Sequence, residues 1–383
     1  MSLRLVVITE IISPYRIPVF NALARYPGID LHVIFLAETD ITTRRWLVYK
    51  EEIRFSYEVL PSWRRRIAGR NLLLNWGLTK ALHRASPAAI LCGGYNYLAS
   101  WRAARWARKR RIPFLVWIES TVKDRRNGHF LIEFLKMRFV RDCAGVVVPG
   151  KSSSAYAAIL GVPAQKIFVA PNAVDNELFA KEADLAGQMD STLRRKLQLP
   201  DRFFLFVGRL VPEKGVFDLV EAYGKLSSQV RSEVGLVFAG DGRSRSKLEQ
   251  QVIATGPGTI MFAGFVHREE LARYYGLAEA LVLPTHSDPW GLVVNEAMAC
   301  GLPVIVTDAA GCAADLVTDN WNGRVVPAGN SQRLSSAMQE LISDHELRRL
   351  MAHRSRGRIT QYSPEACAAG IAQAALSYAG RIS

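Results

Sequence analysis

Twelve short apolar segments alternate with longer segments of helical periodicity, and this alternation restricts the fold more than any other feature of the chain. Six segments fall in the first half, at 3–8, 31–35, 89–91, 114–118, 145–148 and 167–169. Six more fall in the second half, at 203–207, 235–239, 260–262, 280–283, 303–306 and 323–326. Apolar strands that alternate with helices are typical of parallel sheets covered on both faces. The sequence therefore predicts an α/β fold with two doubly wound, Rossmann-like domains.

A turn-rich stretch at 171–175 follows the sixth segment and marks the boundary between the domains. We predict an N-terminal domain over 1–175 and a C-terminal domain over 176–362, which begins with a polar helical connector. An alanine-rich helix is expected over 363–383. Two such domains form a cleft at the carboxyl ends of their strands, where sheets of this kind bind ligands. Functional residues are therefore expected directly after strands.

Composition excludes several classes of protein. Apolar residues make up 49% of the 383 residues and charged residues 22%, which rules out disordered, collagenous and coiled-coil chains. No apolar run reaches the roughly 18 residues of a membrane-spanning helix. The apolar stretch after Met1 is too short for a signal peptide. The five cysteines are scattered without CxxC spacing, which argues against disulfides or a zinc site and predicts a cytoplasmic protein.

The positive charge is confined to the first half of the chain. The net charge is +14; residues 1–180 carry 27 basic and 13 acidic side chains, whereas residues 181–383 carry 22 of each. This asymmetry indicates either an anionic partner for the first half or simple solubility. A lipid headgroup, a phosphorylated acceptor or a nucleic acid would be such a partner.

Arg209 and Lys214 lie in the loop GRLVPEKG (208–215), directly after the apolar segment 203–207. Arginine offers a planar fork and lysine a point charge, so the two side chains suit a diphosphate. The glycines allow close approach of backbone to a ligand. A solvated surface loop explains the two cations equally well.

An apolar helix is expected between Pro289, which can open a helix, and Gly301, which can close one. Within it, Glu296 needs a partner, and the hydroxyl groups of a ribose would serve; a salt bridge is the alternative. The free N–H groups at the start of the helix suit a phosphate. Asp288 fits either a ligand contact or an ordinary N-cap.

Two weaker features follow other apolar segments. Gly240 belongs to Gly240-Asp241-Gly242, a pattern that usually marks a turn. The stretch FAGFVH (262–267) is suited to bracket a flat base, although core packing and a turn explain it as well.

Together, these segments resemble the family-4 retaining glycosyltransferases (glycosyl transferases group 1), which have the GT-B fold. The resemblance rests on GRLVPEKG, FAGDG (238–242), FAGFV (262–266), LPTHSDPWGLVVNEAMACGLPVI (283–305), NGRVVP (322–327) and PNAVD (171–175). It covers most of residues 167–327, in order and at the family's spacing. It implies two domains that face each other across a cleft, with the segment after Ser363 returning to the first domain.

The resemblance also implies roles for individual residues. The implied donor-binding residues are Arg209, Lys214, Gly240, Phe265, Val266, Gly291, Leu292, Val293 and Glu296. The implied catalytic residues are Arg209, Lys214, Asp288 and Glu119. The candidates for acceptor binding are Pro14, Tyr15 and Arg16. Arg209 and Lys214 would hold the diphosphate of a nucleotide sugar, and Glu296 its ribose.

Three places depart from the family's pattern. The first acid of the acid-x7-Glu pair is Asp288 instead of the usual Glu, one methylene shorter in its reach toward the transferred sugar. IISPYR (11–16) replaces the Gly-rich first loop. Glu119 stands where a His commonly follows the strand at 114–118. Arg16 and Glu119 are therefore candidates at these places.

We expect a retaining, metal-independent enzyme that moves a hexose-type sugar from a nucleotide diphosphate sugar to a glycan or lipid-linked acceptor. It would act in the assembly of cell-surface polysaccharide, lipopolysaccharide or glycolipid. No DxD motif follows a suitable strand, so Arg209 and Lys214 are expected to supply the positive charge, and no cofactor is expected. The alternative is a non-catalytic subunit that binds sugar nucleotides.

Two other classes are disfavoured. No helix-turn-helix, RRM, KH or zinc-finger pattern supports nucleic-acid binding. No GxGxxG follows the first strand, as a dinucleotide-dependent dehydrogenase would require.

A basic helix is expected within 97–111. At 100° per residue its small residues share one face, and Arg102, Arg105 and Lys109 form the opposite stripe, flanked by Trp101 and Trp106. Trp63-Arg64-Arg65-Arg66 forms a second cluster of the same kind. Both suit an anionic membrane surface, which predicts either peripheral association with the inner face of the cell membrane or capture of a lipid-diphosphate acceptor; a solvated helix face is the alternative.

Overall fold

The computed structural model describes residues 2–40, 47–67, 70–124, 130–255 and 258–378, and these residues form two compact units. Unit 1 extends to Val174 and also includes the segment that starts at Pro364, which is described to residue 378. Unit 2 runs from Asp175 to Ser363.

Unit 1 contains, among its described residues, a seven-stranded parallel sheet and one antiparallel hairpin. The strands are β1 (Leu3–Thr9), β2 (Ile29–Phe35), β3 (Ser56–Val59), β4 (Ser62–Ile67), β5 (Arg70–Asn75), β6 (Ala89–Cys92), β7 (Phe114–Trp117), β8 (Gly145–Val148) and β9 (Ile167–Val169). The sheet order is β3-β2-β1-β6-β7-β8-β9, and β4 pairs with β5. The helices between these strands are α1 (Ile17–Ala24), α2 (Leu78–Ala85), α3 (Leu98–Lys109), α4 (Phe130–Asp142) and α5 (Lys151–Ile159).

Unit 2 contains a six-stranded parallel sheet in the described part of the chain, ordered β12-β11-β10-β13-β14-β15. Its strands are β10 (Phe203–Val207), β11 (Gly235–Ala239), β12 (Ile260–Gly264), β13 (Ala280–Leu283), β14 (Val304–Thr307) and β15 (Gly323–Val326). Its helices are α6 (Asn176–Gln188), α7 (Asp190–Leu197), α8 (Val216–Gly224), α9 (Ser228–Glu233), α10 (Arg245–Thr255), α11 (Arg268–Leu277), α12 (Leu292–Ala299), α13 (Ala313–Leu316), α14 (Ser331–Ser343) and α15 (His345–Ile359). The last helix of the chain, α16 (Pro364–Leu376), packs on α1 and β9 of unit 1.

All twelve predicted strands are present, and the prediction of two doubly wound α/β sheets is confirmed. The central strands are apolar because helices cover both of their faces; every residue of β10 is buried. The predicted set of six strands in the first half is incomplete, because β3 and the hairpin were missed. Residues 62–66 read SWRRR, a charged sequence that a search for apolar strands does not detect.

Two further observations concern both units. The five cysteines are buried and free of disulfide bonds. Within the described ranges, no helix combines the length and apolarity that crossing a bilayer requires.

Candidate active site

The loops that follow four neighbouring strands of unit 2 lie side by side along one edge of its sheet. The strands are parallel and ordered β12-β11-β10-β13, so the segments after them line up in the same order. In that order they carry the predicted site residues Phe265 and Val266, Gly240, Arg209 and Lys214, and Asp288. The structure thus brings the residues singled out in unit 2 to one edge, the edge at which such sheets bind ligands.

Close backbone contacts hold the loop after β10 between its two neighbours. The N–H group of Gly208 donates to the carbonyl of Ala239 at 3.0 Å, and a Cβ atom on Gly240 would lie 1.8 Å from the carbonyl oxygen of Gly208. On the other side, Gly215 has a φ of +67°, and its Cβ atom would lie 1.8 Å from the carbonyl oxygen of Pro284. These glycines are required by the packing of loop on loop, whether or not a ligand binds.

Lys214 pairs with Asp288 across two of these loops. The ammonium group donates a hydrogen bond to the carboxylate, and the two side chains are 17% and 12% exposed. The hydroxyl of Thr285 donates to the carbonyl of Glu213 at 2.9 Å and fastens the same two loops. Arg209 is exposed on the first of them. The lysine predicted to hold a diphosphate therefore already has an anionic partner, at a site less screened by water and salt than an open surface.

Helix α12 begins later than the sequence suggested. Its first residues are Leu292 and Val293, both partly exposed, and its N-cap is Gly291 with a φ of +96°. The expectation that Pro289 opens the helix is wrong, because the chain turns through left-handed backbone at Gly291 first. Interpreting Asp288 as the N-cap is wrong for the same reason: Asp288 precedes the cap by three residues.

The polar residues inside α12 have partners in unit 2. Asn295 accepts a hydrogen bond at 2.8 Å from the indole N–H of the buried Trp290. Glu296 is fully buried and accepts a hydrogen bond at 2.6 Å from the hydroxyl of Tyr275, on α11. Tyr275 is a partner that no local sequence signal indicated. The contact between Glu296 and a ribose stays a prediction.

The loop after β12 presents an aromatic ring to solvent. Phe265 is 43% exposed and meets His267 edge to face, with 5.0 Å between ring centroids; Val266 is partly exposed. Core packing, the alternative explanation for Phe265, does not describe a side chain this exposed.

In unit 1, the candidates Arg16 and Glu119 form an ion pair although they lie 103 residues apart in the chain. The Arg16 guanidinium lies over the ring of Trp117, 3.9 Å from its centroid, and donates to Asn172 Oδ1 at 3.2 Å. Burial lowers the pKa of Arg16 to about 10, which leaves the group charged at neutral pH. Trp117 and Asn172 were not assigned this role from sequence, although Asn172 lies in the PNAVD segment.

The other predictions on unit 1 have mixed outcomes. Pro14 is buried and Tyr15 partly exposed.

Along α3 the basic stripe is exposed as predicted, at Arg102, Arg105 and Lys109. Trp106 is 8% exposed, so the expectation that it flanks this stripe at the surface is wrong. It packs edge to face on His83, under the guanidinium of Arg110. The side chain of Arg66 lies outside the described residues.

Comparisons with known proteins match both halves of the chain. The family model for Glycosyl transferases group 1 matches residues 190–358, and the model for Glycosyltransferase Family 4 matches residues 20–178. Alpha-D-kanosaminyltransferase of Streptomyces kanamyceticus is 34% identical over 45% of this chain and 44% of that protein. The lipopolysaccharide core biosynthesis glycosyltransferase LpsE of Rhizobium meliloti is 28% identical over 47% of this chain and 52% of that protein. The chain spans less than two thirds of the length of the curated relatives it matches.

Among solved structures, Anabaena HepE in complex with UDP matches with a TM-score of 0.77 and 20% identity. The match covers 98% of this chain and 100% of that chain. This likeness establishes the fold, and the predicted GT-B architecture of two Rossmann-like domains is confirmed.

Proposed function

The chain belongs to the group 1 glycosyltransferases, and we propose that it transfers a hexose-type sugar from a nucleotide diphosphate sugar to a glycan or lipid-linked acceptor. The observation that carries this proposal is the row of loops along the edge of the unit 2 sheet. In sheet order, the row offers an exposed aromatic ring, two cations, and a carboxylate close to the start of helix α12. These groups suit the base, the diphosphate and the sugar of such a donor.

Each part of the donor has a candidate partner. Phe265 and Val266 would bracket the base. Arg209 and Lys214 would bind the diphosphate together with the N–H groups around Gly291–Val293. Glu296 would contact the ribose, and Gly240 would border the phosphates. The matching HepE structure is a complex with UDP, which supports a nucleotide sugar as the donor, so a uridine diphosphate sugar is the first donor to test.

The chemistry follows from the charge that develops as the donor breaks. When the bond between the anomeric carbon and the diphosphate oxygen cleaves, negative charge accumulates on the leaving group. Arg209 and Lys214 stabilise that charge without a metal ion. We propose retention by front-face attack: the acceptor oxygen bonds to the anomeric carbon on the face the diphosphate leaves, and a departing phosphate oxygen takes the acceptor's proton. Asp288 would contact the transferred sugar.

The acceptor is assigned to unit 1. There, Pro14, Tyr15 and Arg16 precede α1, and Glu119 follows β7. The basic excess of this half supports an anionic acceptor or membrane surface. We propose a cytoplasmic enzyme, peripheral on the inner face of the membrane, in polysaccharide or lipopolysaccharide assembly; LpsE is named for lipopolysaccharide core biosynthesis.

Thermal-shift measurement with a panel of nucleotide sugars, followed by assay of the stabilising donor for hydrolysis and transfer, tests the proposal. The donor should raise the melting temperature, because a ligand that binds only the folded state stabilises it. A panel in which no nucleotide sugar does so contradicts the proposal. Stabilisation by a nucleotide sugar without any turnover supports the alternative, a non-catalytic subunit that binds sugar nucleotides. The presence of Asp288 in place of the usual Glu favours that alternative.

A further inference from the structure

The hairpin formed by β4 and β5 carries an apolar face that points away from the unit 1 core. Trp63 lies opposite Leu74 in the antiparallel register, and Arg65 lies opposite Leu72, so these four residues share one face. Trp63 is 42% and Leu72 40% exposed. The other face carries Leu73, which is buried. Large apolar residues in a row on an exposed face are unusual and mark a binding surface.

This face continues into a recess between the hairpin and α3. Leu74, Trp76 and Leu98 line the recess, which has a volume of about 170 Å³. Trp76 and Leu98 are 55% and 59% exposed. We use the name hairpin patch for this continuous apolar surface, which consists of Trp63, Leu72, Leu74, Trp76 and Leu98.

The hairpin is fastened to the edge of the sheet at which ligands bind. The guanidinium of Arg64, on its inner face, forms ion pairs with Glu10 at 2.9 Å and Asp40 at 2.8 Å, in the segments that follow β1 and β2. The side-chain amide of Asn75 donates to the carbonyl of Leu36, directly after β2. The hairpin patch therefore lies at the carboxyl edge of the unit 1 sheet, the same edge as Arg16 and Glu119.

Two arginines border the hairpin patch. Arg65 is exposed on the hairpin, and Arg102 lines the recess, 3.4 Å from the carbonyl of Asn75. Among the described residues neither arginine forms an ion pair. An apolar recess with cations at its rim is complementary to a hydrocarbon chain that ends in a phosphate.

We propose that the hairpin patch binds the hydrocarbon chain of a phosphate-bearing lipid acceptor, with Arg65 and Arg102 at its phosphate. Its position at the same sheet edge as Arg16 and Glu119, and its concave form at Leu74 and Leu98, fit a single chain better than a flat bilayer. That the bound lipid is the acceptor rests on the proposed function, and the inference adds that this acceptor is a phosphate-bearing lipid.

Titration of the full chain with monomeric decyl phosphate tests the proposal, with butyl phosphate as the short-chain comparison. Decyl phosphate should bind the wild type more tightly, because only its chain fills the recess. The double variant Trp76→Ser/Leu98→Ser should bind decyl phosphate about tenfold more weakly or worse, since it removes two large apolar contacts. The conservative pair Trp76→Phe/Leu98→Met should retain most of the affinity. Ile159→Ser, at a residue that is 61% exposed on α5, is the matched control and should change nothing.

A second double variant tests the two arginines at the edge of the hairpin patch. Arg65→Gln/Arg102→Gln should weaken decyl phosphate binding but leave binding of the uncharged decyl glucoside unchanged. Equal affinities for decyl and butyl phosphate in the wild type would overturn the proposal, as would an unchanged affinity in the double variant.

Vesicle co-sedimentation separates the proposal from membrane insertion. If Trp76 and Leu98 are needed for binding to anionic vesicles but monomeric decyl phosphate does not bind, the patch inserts into a bilayer and the proposal is wrong. The thermal shift with nucleotide sugars reports on unit 2 and should be unchanged in every hairpin variant. Failure of that shift in the wild type, with decyl phosphate binding intact, would contradict the proposed function and leave the lipid site standing.

Discussion

The two candidate sites are assembled by different kinds of contact. In unit 2 the site loops touch through their backbones, as the close approaches of Gly240 to Gly208 and of Gly215 to Pro284 show. In unit 1 the candidate residues meet through side chains: Arg16 pairs with Glu119 and also binds Asn172. The backbone hydrogen bonds between the unit 1 loops, such as that from Ala37 to the carbonyl of Glu10 at 2.8 Å, join residues other than glycine. An approach as close as those in unit 2 demands glycine at a fixed position, whereas several combinations of side chains can make an ion pair. The unit 2 site therefore leaves a readable motif, and the unit 1 site does not.

The largest effect is expected from Lys214→Ala. If unit 2 holds the diphosphate, removing this cation should lower turnover about 10²- to 10³-fold, because one donor to the developing charge is lost. Donor hydrolysis and transfer rates measure the effect. Lys247→Ala, at an exposed lysine on α10, is the control and should retain full activity. A Lys214→Ala turnover within a few-fold of the wild type would remove the chemical role from the unit 2 site.

A stability measurement examines the backbone framework of unit 2. Gly215→Ala places a side chain on left-handed backbone against the Pro284 carbonyl and should cost about 2–3 kcal/mol of unfolding free energy or more. Gly187→Ala is the matched control: its Cβ atom would meet nothing within 4 Å, and it lies inside α6. That substitution should be neutral or stabilising. Urea unfolding of both variants measures the difference, and equal stabilities would mean that the loops are not held as described.

The sequence predicts more of the unit 2 site than of the unit 1 site, and the kind of contact that holds each site explains the difference. Apart from β3 at the edge of the first sheet, the strands of both sheets were predictable because burial makes them apolar, as in Phe203–Val207. The unit 2 site residues were predictable because they follow those strands. The ion pairs of Lys214 with Asp288 and of Arg16 with Glu119 were not, because side chains 74 and 103 residues apart meet only through the tertiary fold. The hairpin escaped prediction because its first strand reads SWRRRI, which is not apolar; Arg64 faces inward, where it forms ion pairs with Glu10 and Asp40.

A smaller effect is expected from Asp288→Asn, which tests the resting partner of Lys214. A diphosphate has to replace Asp288 as the partner of the ammonium group, so the neutral amide should tighten binding of the nucleoside diphosphate by up to about tenfold. Turnover should fall at the same time, because the transferred sugar loses its carboxylate contact. Glu213→Gln is the control. Glu213 precedes Lys214 in the loop after β10, but its carboxylate pairs with Arg243 at 2.8 Å. Weaker diphosphate binding in Asp288→Asn would show that the carboxylate assists the donor instead of competing with it.

The smallest effect is expected in unit 1, from Arg16→Gln. The substitution removes the ion pair with Glu119 and the contact over Trp117 but leaves the backbone in place, so the fold should persist. We expect the KM for the acceptor to rise several-fold to about tenfold, the scale of one charged contact, while diphosphate affinity stays at the wild-type value. Arg16→Lys should recover little, because lysine lacks the planar fork that pairs and stacks together. Arg25→Gln, at the exposed end of α1, serves as the control. If Arg16→Gln lowered the affinity for the diphosphate by the same factor as it raised the KM for the acceptor, unit 1 would not be specific for the acceptor and unit 2 for the donor.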